Sequence, residues 1–181
     1  MSRAKTFATE GIVLKRVSVG ETDRIVTLLT KDFGKLVGVA KGIRSLTSSK
    51  RAHLEPGNRV KVFAVKTKSL PLITQATLIK NVQGSQRETL IGLRRLSQVL
   101  EVFDRLFVEE DEDQLAYLKT LEILELLTNT YSYQKMQDLL GSLLEHLGYQ
   151  NYQETTHNSV LDYVAEITEK PMKSFEYLRV K

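Results

Sequence analysis

The sequence predicts an α+β chain in which strands come first and helices second. Three observations carry that expectation. The hydrophobic period changes near residue 80 from the alternation of strands to the three-and-four spacing of helices. Turn-forming residues crowd the first part of the chain. The charge reverses sign at the same place: residues 1–80 hold 16 Lys and Arg against 5 Asp and Glu, net +11, and residues 81–181 hold 10 against 17, net −7. The predicted domains are therefore 1–80 and 81–181. With 41% apolar residues among 181, the chain has enough Leu, Ile, Val and Phe to build a sizeable core.

Five segments of the first half read as strands: 10–17, 24–30, 35–41, 59–67 and 71–80. Each is rich in Val, Ile, Leu and Thr and is bounded by turn chemistry. Lys31-Asp32-Phe33-Gly34 is a four-residue connection with Gly where a hairpin often needs a positive φ, so it joins the second strand to the third. The longest connection, Gly42 to Asn58, falls between the third and fourth strands. Five strands with the long gap in that position fit a Greek-key barrel of the OB type, in which a short helix often fills the gap. A small SH3-like barrel is the competing arrangement.

The second half reads as an all-α unit. Leu93, Leu96, Leu100, Phe103 and Phe107 make one apolar stripe on a helix over about residues 85–108. The acid run Glu109-Glu110-Asp111-Glu112-Asp113 precedes a second stripe, Leu115, Leu118, Leu121 and Leu124, where negative charge suits a helix N-terminus. A third stripe, Leu139-Leu140, Leu143-Leu144 and Leu147, ends at Gly148, with Gly141 an odd residue inside it. A short helix over about 158–169 stops before Pro171.

Several chemistries have no signature here. There is no cysteine, and His53, His146 and His157 are far apart, so neither a thiolate site nor a helical histidine pair can hold a metal, and no cofactor is expected. Phosphate-loop, dinucleotide-binding and nucleophile-elbow spacings are absent, and Ser45-Leu46-Thr47-Ser48-Ser49 before Lys50-Arg51 reads as a basic loop, so the expectation is not an enzyme. No apolar run approaches the roughly 20 residues of a membrane span, and no signal-peptide core follows the N-terminus, which places the protein in the cytoplasm and away from membranes.

The basic half is the informative feature. Lys31, Lys35, Lys41, Arg44, Lys50, Arg51, Arg59, Lys61, Lys66 and Lys68 put ten cations in 38 residues, opposed only by Asp32 and Glu55. Such a density collects polyanions, with nucleic acid the usual partner. On the fourth strand Arg59, Lys61, Phe63 and Val65 share one face, so Phe63 is either a stacking platform flanked by charge or part of the barrel core. All seven tyrosines lie beyond residue 116, so affinity should rest on phosphate contacts and be indifferent to sequence. Charge alone does not separate DNA from RNA, and an RNA-binding OB module acting on ribosomal or structured RNA is the alternative.

A series of motifs in order then points to a family. Gly11-Ile12-Val13-Leu14, Gly20-Glu21-Thr22-Asp23-Arg24, Leu29-Thr30 with Phe33-Gly34-Lys35, Ala40-Lys41-Gly42-Ile43-Arg44, and a Ser-rich basic loop with Leu54 and Pro56 closely resemble the N-terminus of the bacterial RecO recombination-mediator family. The resemblance resumes at Leu143-Leu144-Glu145-His146-Leu147-Gly148-Tyr149 and at Lys173-Ser174-Phe175-Glu176-Tyr177-Leu178. It implies an OB barrel followed by a helical domain. It also implies a DNA repair and recombination protein that binds single- and double-stranded DNA, anneals complementary strands, works with RecR, and touches the acidic C-terminal tail of single-stranded DNA-binding protein to help load RecA. The implied location is cytoplasmic and nucleoid-associated.

Carried onto this sequence, the family's basic surface corresponds to Arg24, Lys35, Lys41 and Arg44, with Lys50 and Arg51 following by charge, and Arg87, Arg94 and Arg95 are candidates for the acidic tail. Two departures stand out. Many members are longer and carry a four-cysteine zinc module after the Leu-Gly-Tyr segment; here Gln150 to Glu169 is short and has no cysteine.

Overall fold

The computed structural model describes residues 5–42, 53–81, 89–129 and 131–174. The chain divides into two compact units. The first comprises residues 1–81 together with 107–113, and the second 82–106 together with 114–181.

The first unit is a closed five-stranded barrel with the neighbour order β1-β2-β3-β5-β4, the arrangement of an OB fold. Its strands are β1 Thr6–Val19, β2 Asp23–Thr30, β3 Gly34–Ala40, β4 Arg59–Val65 and β5 Leu72–Lys80. β1 is long because it serves two neighbours: residues 11–19 pair antiparallel with β2, and residues 6–12 pair with β4. Gly11 lies in the overlap, opposite both Thr30 and Val60. A Cβ there would stand 2.9 Å from the Leu29 carbonyl oxygen, so the strand can pass between two partners at that point only without a side chain. β3 and β5 close the ring in parallel at Val39 and Leu72, reinforced by Val39 N–H donating to the Pro71 carbonyl at 2.8 Å.

Alternation sorts the barrel residues. Val13, Val26, Leu28, Ala40, Val60, Val62, Ile73 and Ala76 fill the interior, and Leu54 enters from the connection between β3 and β4. That connection is fastened as it returns: Val13 and residues 57–58 exchange two backbone hydrogen bonds, and Asn58 Nδ2 donates to the His53 carbonyl. Residues 43–52, where a short helix was expected, lie outside the described residues. The alternate set on β2, Thr27 and Leu29, faces outward and is nonetheless buried, as is Ile12 on β1. The outer side of this pair is therefore closed at Ile12, Thr27 and Leu29, while Lys15, Val17 and Val19 farther along β1 are exposed.

The second unit contains α1 Leu90–Leu106, α2 Gln114–Thr128, α3 Tyr133–His146 and α4 Val160–Ile167, with a 3-10 turn at Tyr152–Glu154. One expected stripe loses an end and another shifts. On α1 the buried residues are Leu96, Val99, Leu100, Val102, Phe103 and Leu106; Leu93 is exposed, and Phe107 lies beyond the helix in the barrel unit. On α2 the buried set is Ala116, Tyr117, Thr120, Ile123, Leu124 and Leu127, while Leu115 and Leu118 are 53% and 57% exposed. On α1 the expected stripe otherwise holds, with Leu96, Leu100 and Phe103 buried; on α2 leucines were counted as the core, whereas the helix turns inward the larger Tyr117 and the β-branched Ile123. The acid run does not enter α2, whose first turn has no acidic residue. On α3 the expected face holds, and Gly141 is explained: a Cβ there would meet the Asn151 side chain at 2.6 Å.

Glu101 on α1 ties down the chain's later segment. Its carboxylate accepts from the Lys173 amide at 2.8 Å, the Ser174 amide at 2.7 Å and Arg105 Nη2 at 3.1 Å, and Arg105 also donates to the Pro171 carbonyl. Burial opposes the charge, but these hydrogen bonds outweigh it and hold the carboxyl below its usual value. A depressed carboxyl contributes stability that is present above the ordinary glutamate range and is lost as pH falls through the folded value. Glu101→Gln should therefore lower the melting temperature near pH 7, with the gap from the wild type narrowing toward about pH 3; a gap constant across that range would show that the charge is not what holds residues 171–174.

Candidate nucleic-acid interface

Four of the five carboxylates in residues 1–80 are engaged in holding the barrel. Glu10 receives Arg59 Nη2 at 2.8 Å, Asp32 receives the Thr9 hydroxyl at 2.7 Å, and Glu55 bonds to Arg16 with Arg24 Nη1 at 3.7 Å. Asp23 accepts the Gly42 amide at 3.0 Å. That amide first, and then the Thr22 hydroxyl, hold the Asp23 carboxyl below its ordinary value, so it stays charged and pins the turn at which β3 ends.

The expected site residues fall into distinct settings. Lys41 is exposed in that pinned turn, where the connection carrying Arg44, Lys50 and Arg51 begins; those three lie outside the described residues. Lys66 and Lys68 are exposed in the turn between β4 and β5, shaped by Thr67 Oγ1 donating to the Leu70 carbonyl and accepting from the Ser69 amide. Because Val39 pairs with Leu72, the exit of β3 and the entry of β5 are adjacent, and Lys41 and the Lys66–Leu70 turn flank one junction. Lys5 joins them, its carbonyl accepting the Lys66 amide, a residue that sequence pattern did not single out. Lys5, Lys41, Lys66 and Lys68 make no ion pair with another described residue.

Arg24 is in a different setting. At 9% exposure it lies on the inward-facing parity of β2, with its guanidinium toward Glu55, so it braces the barrel end rather than presenting charge to solvent. Arg59 is half-buried on Glu10, and Lys35 is half-buried where the 107–113 segment meets β3, the Lys35 amide donating to the Val108 carbonyl at 3.2 Å.

Phe63 settles between its two alternatives: it points out of the barrel and is 42% exposed. Its position is set by a bulge, in which β5 supplies the extra residue Thr74 whose hydroxyl donates to the Phe63 carbonyl at 3.1 Å. Lys61 Nζ stands 5.9 Å from the ring centroid. An OB barrel commonly meets oligonucleotides on its strand 2 and 3 face and on its 1–2 and 4–5 loops. Here Thr27 and Leu29 on the outer side of β2 are buried, whereas the β4–β5 turn, the β3 exit and the outer side of β4 present the exposed Lys66, Lys68, Lys41 and Lys61.

In the helical unit Arg87 lies outside the described residues, Arg94 is exposed, and Arg95 stacks on Tyr131 at 3.6 Å from the ring centroid. Arg95 lines a cavity of about 150 Å³ with Tyr131, Met136, Leu140, Val160 and Gln137. The Gln137 side-chain oxygen is buried there with no hydrogen-bond donor among the described residues. Neither Tyr131 nor Gln137 was legible as a site residue, because each is a single polar position on an otherwise apolar pattern. Among the described residues no group of three or more His, Asp or Glu could hold a metal, and no helix is long and apolar enough to cross a membrane.

The fold defines this chain as an OB-type barrel protein with an appended helical unit. Residues 1–82 match the family described as Recombination protein O N terminal. The DNA repair protein RecO of Bifidobacterium adolescentis is 36% identical over 110 residues, 61% of this chain and 45% of that protein. That of Chloroherpeton thalassium is 36% identical over 115 residues, 62% of this chain and 44% of that protein, and that of Heliobacterium modesticaldum 32% over 102 residues, 56% and 37%. The barrel half of the chain is thus similar to the N-terminal part of the RecO family. The chain spans less than half the length of these curated relatives.

Two substitutions separate bracing arginines from surface lysines. Arg24→Gln should lower the melting temperature and change the salt dependence of single-strand binding by less than one contact. Lys41→Gln should leave melting unchanged and flatten the slope by about 0.7, the value of one phosphate on a single strand. The reverse pattern in melts and salt titrations would exchange the two roles. Phe63→Ala, with the ring already half in solvent, should cost under about 1 kcal/mol of folding stability and about 1–3 kcal/mol of single-strand affinity, with duplex binding nearly unchanged. A folding loss of about 3 kcal/mol or more would return Phe63 to a packing role.

Proposed function

We propose that this protein is a DNA repair and recombination mediator that binds single- and double-stranded DNA through the barrel and anneals complementary strands, working with RecR to help load RecA. The observation that carries the DNA-binding part is the group of exposed cations around the β3–β5 junction, Lys5, Lys41, Lys66 and Lys68, on a unit whose carboxylates are mostly committed to its own fold. Lys61 and Phe63 extend that surface along β4, and in sequence Arg44, Lys50 and Arg51 follow Lys41 as further candidates by charge. The choice of DNA over RNA, and the partners, rest on the similarity of the barrel half to proteins named as DNA repair protein RecO. The acidic helical half is assigned to protein partners rather than to phosphate contact.

The Arg95 cavity is the best place in the helical unit for the acidic C-terminal tail of single-stranded DNA-binding protein. Arg95 offers a cation held on an aromatic face, the cavity offers apolar walls, and the Gln137 oxygen, without a donor among the described residues, offers an acceptor for a peptide N–H. Arg95→Ala should reduce capture of a fluorescent acidic peptide with an apolar end and leave annealing of naked strands unchanged. Equal capture by both proteins would remove the tail from this cavity.

The deciding experiment is strand annealing with complementary DNA oligonucleotides beside binding to matched RNA. If seven cations of residues 41–68 neutralise phosphates on a single strand, log K against log salt should slope at about −5. A strong preference for RNA without annealing would overturn the reading in favour of an RNA-binding module, and a slope near zero would overturn the electrostatic basis of either.

A further inference from the structure

The segment between α1 and α2 belongs to the barrel unit and is built onto it. Phe107 is buried, the Val108 carbonyl accepts the Lys35 amide, and Glu109 makes β-bridges to Gly34 and Lys35 at the β2–β3 hairpin. Gly34 has φ +60, and a Cβ there would stand 2.8 Å from the Asp111 nitrogen and closer still to its carbonyl, so the strap lies flat against the hairpin tip because that residue has no side chain. Glu110 is held at φ 61, in a region that residues other than glycine seldom occupy. Contact is made by the strap's backbone, while the side chains of Glu109, Glu110, Asp111 and Glu112 are exposed. The hairpin under it carries Lys31 and Lys35, two of the cations that the charge pattern alone would give to nucleic acid.

We propose that residues 107–113 form an acidic guard, an intramolecular contact that shields the β2–β3 end of the barrel from polyphosphate and confines the nucleic-acid strand to the β3–β5 junction. The proposal rests on the reading of the barrel as a polyphosphate-binding unit. Backbone docking of Glu109 on Gly34 and Lys35 brings the acid run to the hairpin that carries Lys31 and Lys35, where its charge lowers the local potential at which a phosphate would otherwise settle. Among the described residues no such strap lies over Lys41, Lys66 and Lys68, and the two ends of a barrel with a large positive charge thereby become unequal.

The test neutralises the guard without removing its backbone. A variant with Glu109→Gln, Glu110→Gln, Asp111→Asn and Glu112→Gln should bind a poly-dT oligonucleotide several-fold more tightly at low salt. Its salt slope should steepen by up to about 1.4, two additional phosphate contacts on a single strand. Adding Lys31→Gln and Lys35→Gln to that variant should erase the gain, whereas the same two changes in the natural chain should alter affinity little. Gly34→Ala, which unseats the strap and keeps every charge, should also raise affinity. Unchanged affinity and slope in the neutral-guard variant, or a gain that survives the loss of both lysines, would overturn the proposal. A natural chain with no salt-dependent DNA binding at all is a separate result, and it would overturn the barrel reading on which the proposal stands.

Discussion

Closure of the barrel depends on one strand being shared. β1 is paired on one side with β2 and on the other with β4, and the two pairings overlap at Gly11 and Ile12. Within that overlap the backbone donors and acceptors of a short stretch are committed in both directions, and the strand must bend to do so. A side chain at residue 11 would press on the Leu29 carbonyl and part β1 from β2. Replacing this glycine therefore does more than cost conformational freedom: it opens the ring, and an open ring loses the enclosed interior of Val13, Val26, Leu28, Val60, Val62 and Ile73 that stabilises it. The return of the β3–β4 connection depends on the same strand, since residues 57–58 bond to Val13 and Leu54 enters the interior beside it.

Once the ring is closed, charge is divided by role. Glu10, Asp23, Asp32 and Glu55 each hold a donor of the barrel itself, so the acids of the basic half are spent on architecture. Arg24 and Arg59 are drawn into the same work, which leaves mostly lysines on the surface. Lysine suits that remainder, because its flexible point charge can follow a mobile phosphate backbone, whereas the planar fork of arginine suits a fixed carboxylate such as that of Glu10 or Glu55. A self-repelling surface of this kind is tolerated because the apolar interior and the second apolar layer at Ile12 and Leu29 carry the stability.

This division explains how far the sequence could be read. The five strands and their order of connection were legible, because a period of two over Val-, Ile- and Thr-rich segments bounded by turns has few other meanings. The outward direction of Arg59, Lys61 and Phe63 was legible as a shared face, but which of the two faces looked inward was not, since Phe63 is apolar and Val60 and Val62 are too. Arg24 looked like its exposed neighbours because its burial is set by Glu55, 31 positions away, which no local pattern reveals. The helices were recognised from their period; the α1 stripe holds apart from Leu93, and α2 was misphased, where leucines occupy both the inner and the outer side. The acid run was assigned to a helix terminus on local grounds; its pairing with Gly34 and Lys35 is a long-range contact that becomes visible only when the chain is folded.

The scarcity of aromatic residues on the barrel bears on the proposed annealing. Only Phe7, Phe33 and Phe63 occur in residues 1–80, and Phe7 and Phe33 pack edge to face with ring centroids 5.0 Å apart, leaving Phe63 as the exposed ring. A protein that grips single strands by stacking holds the bases against its own side chains, and a complementary strand must displace those contacts at about 1–3 kcal/mol each before pairs can form. Binding through phosphates leaves the base edges free, and the attraction applies equally to the single strand and to the duplex it becomes. A cationic junction with one neighbouring aromatic is thus the balance that strand annealing requires: enough charge to bring two polyanions together against their mutual repulsion, and too little stacking to compete with the pairing itself.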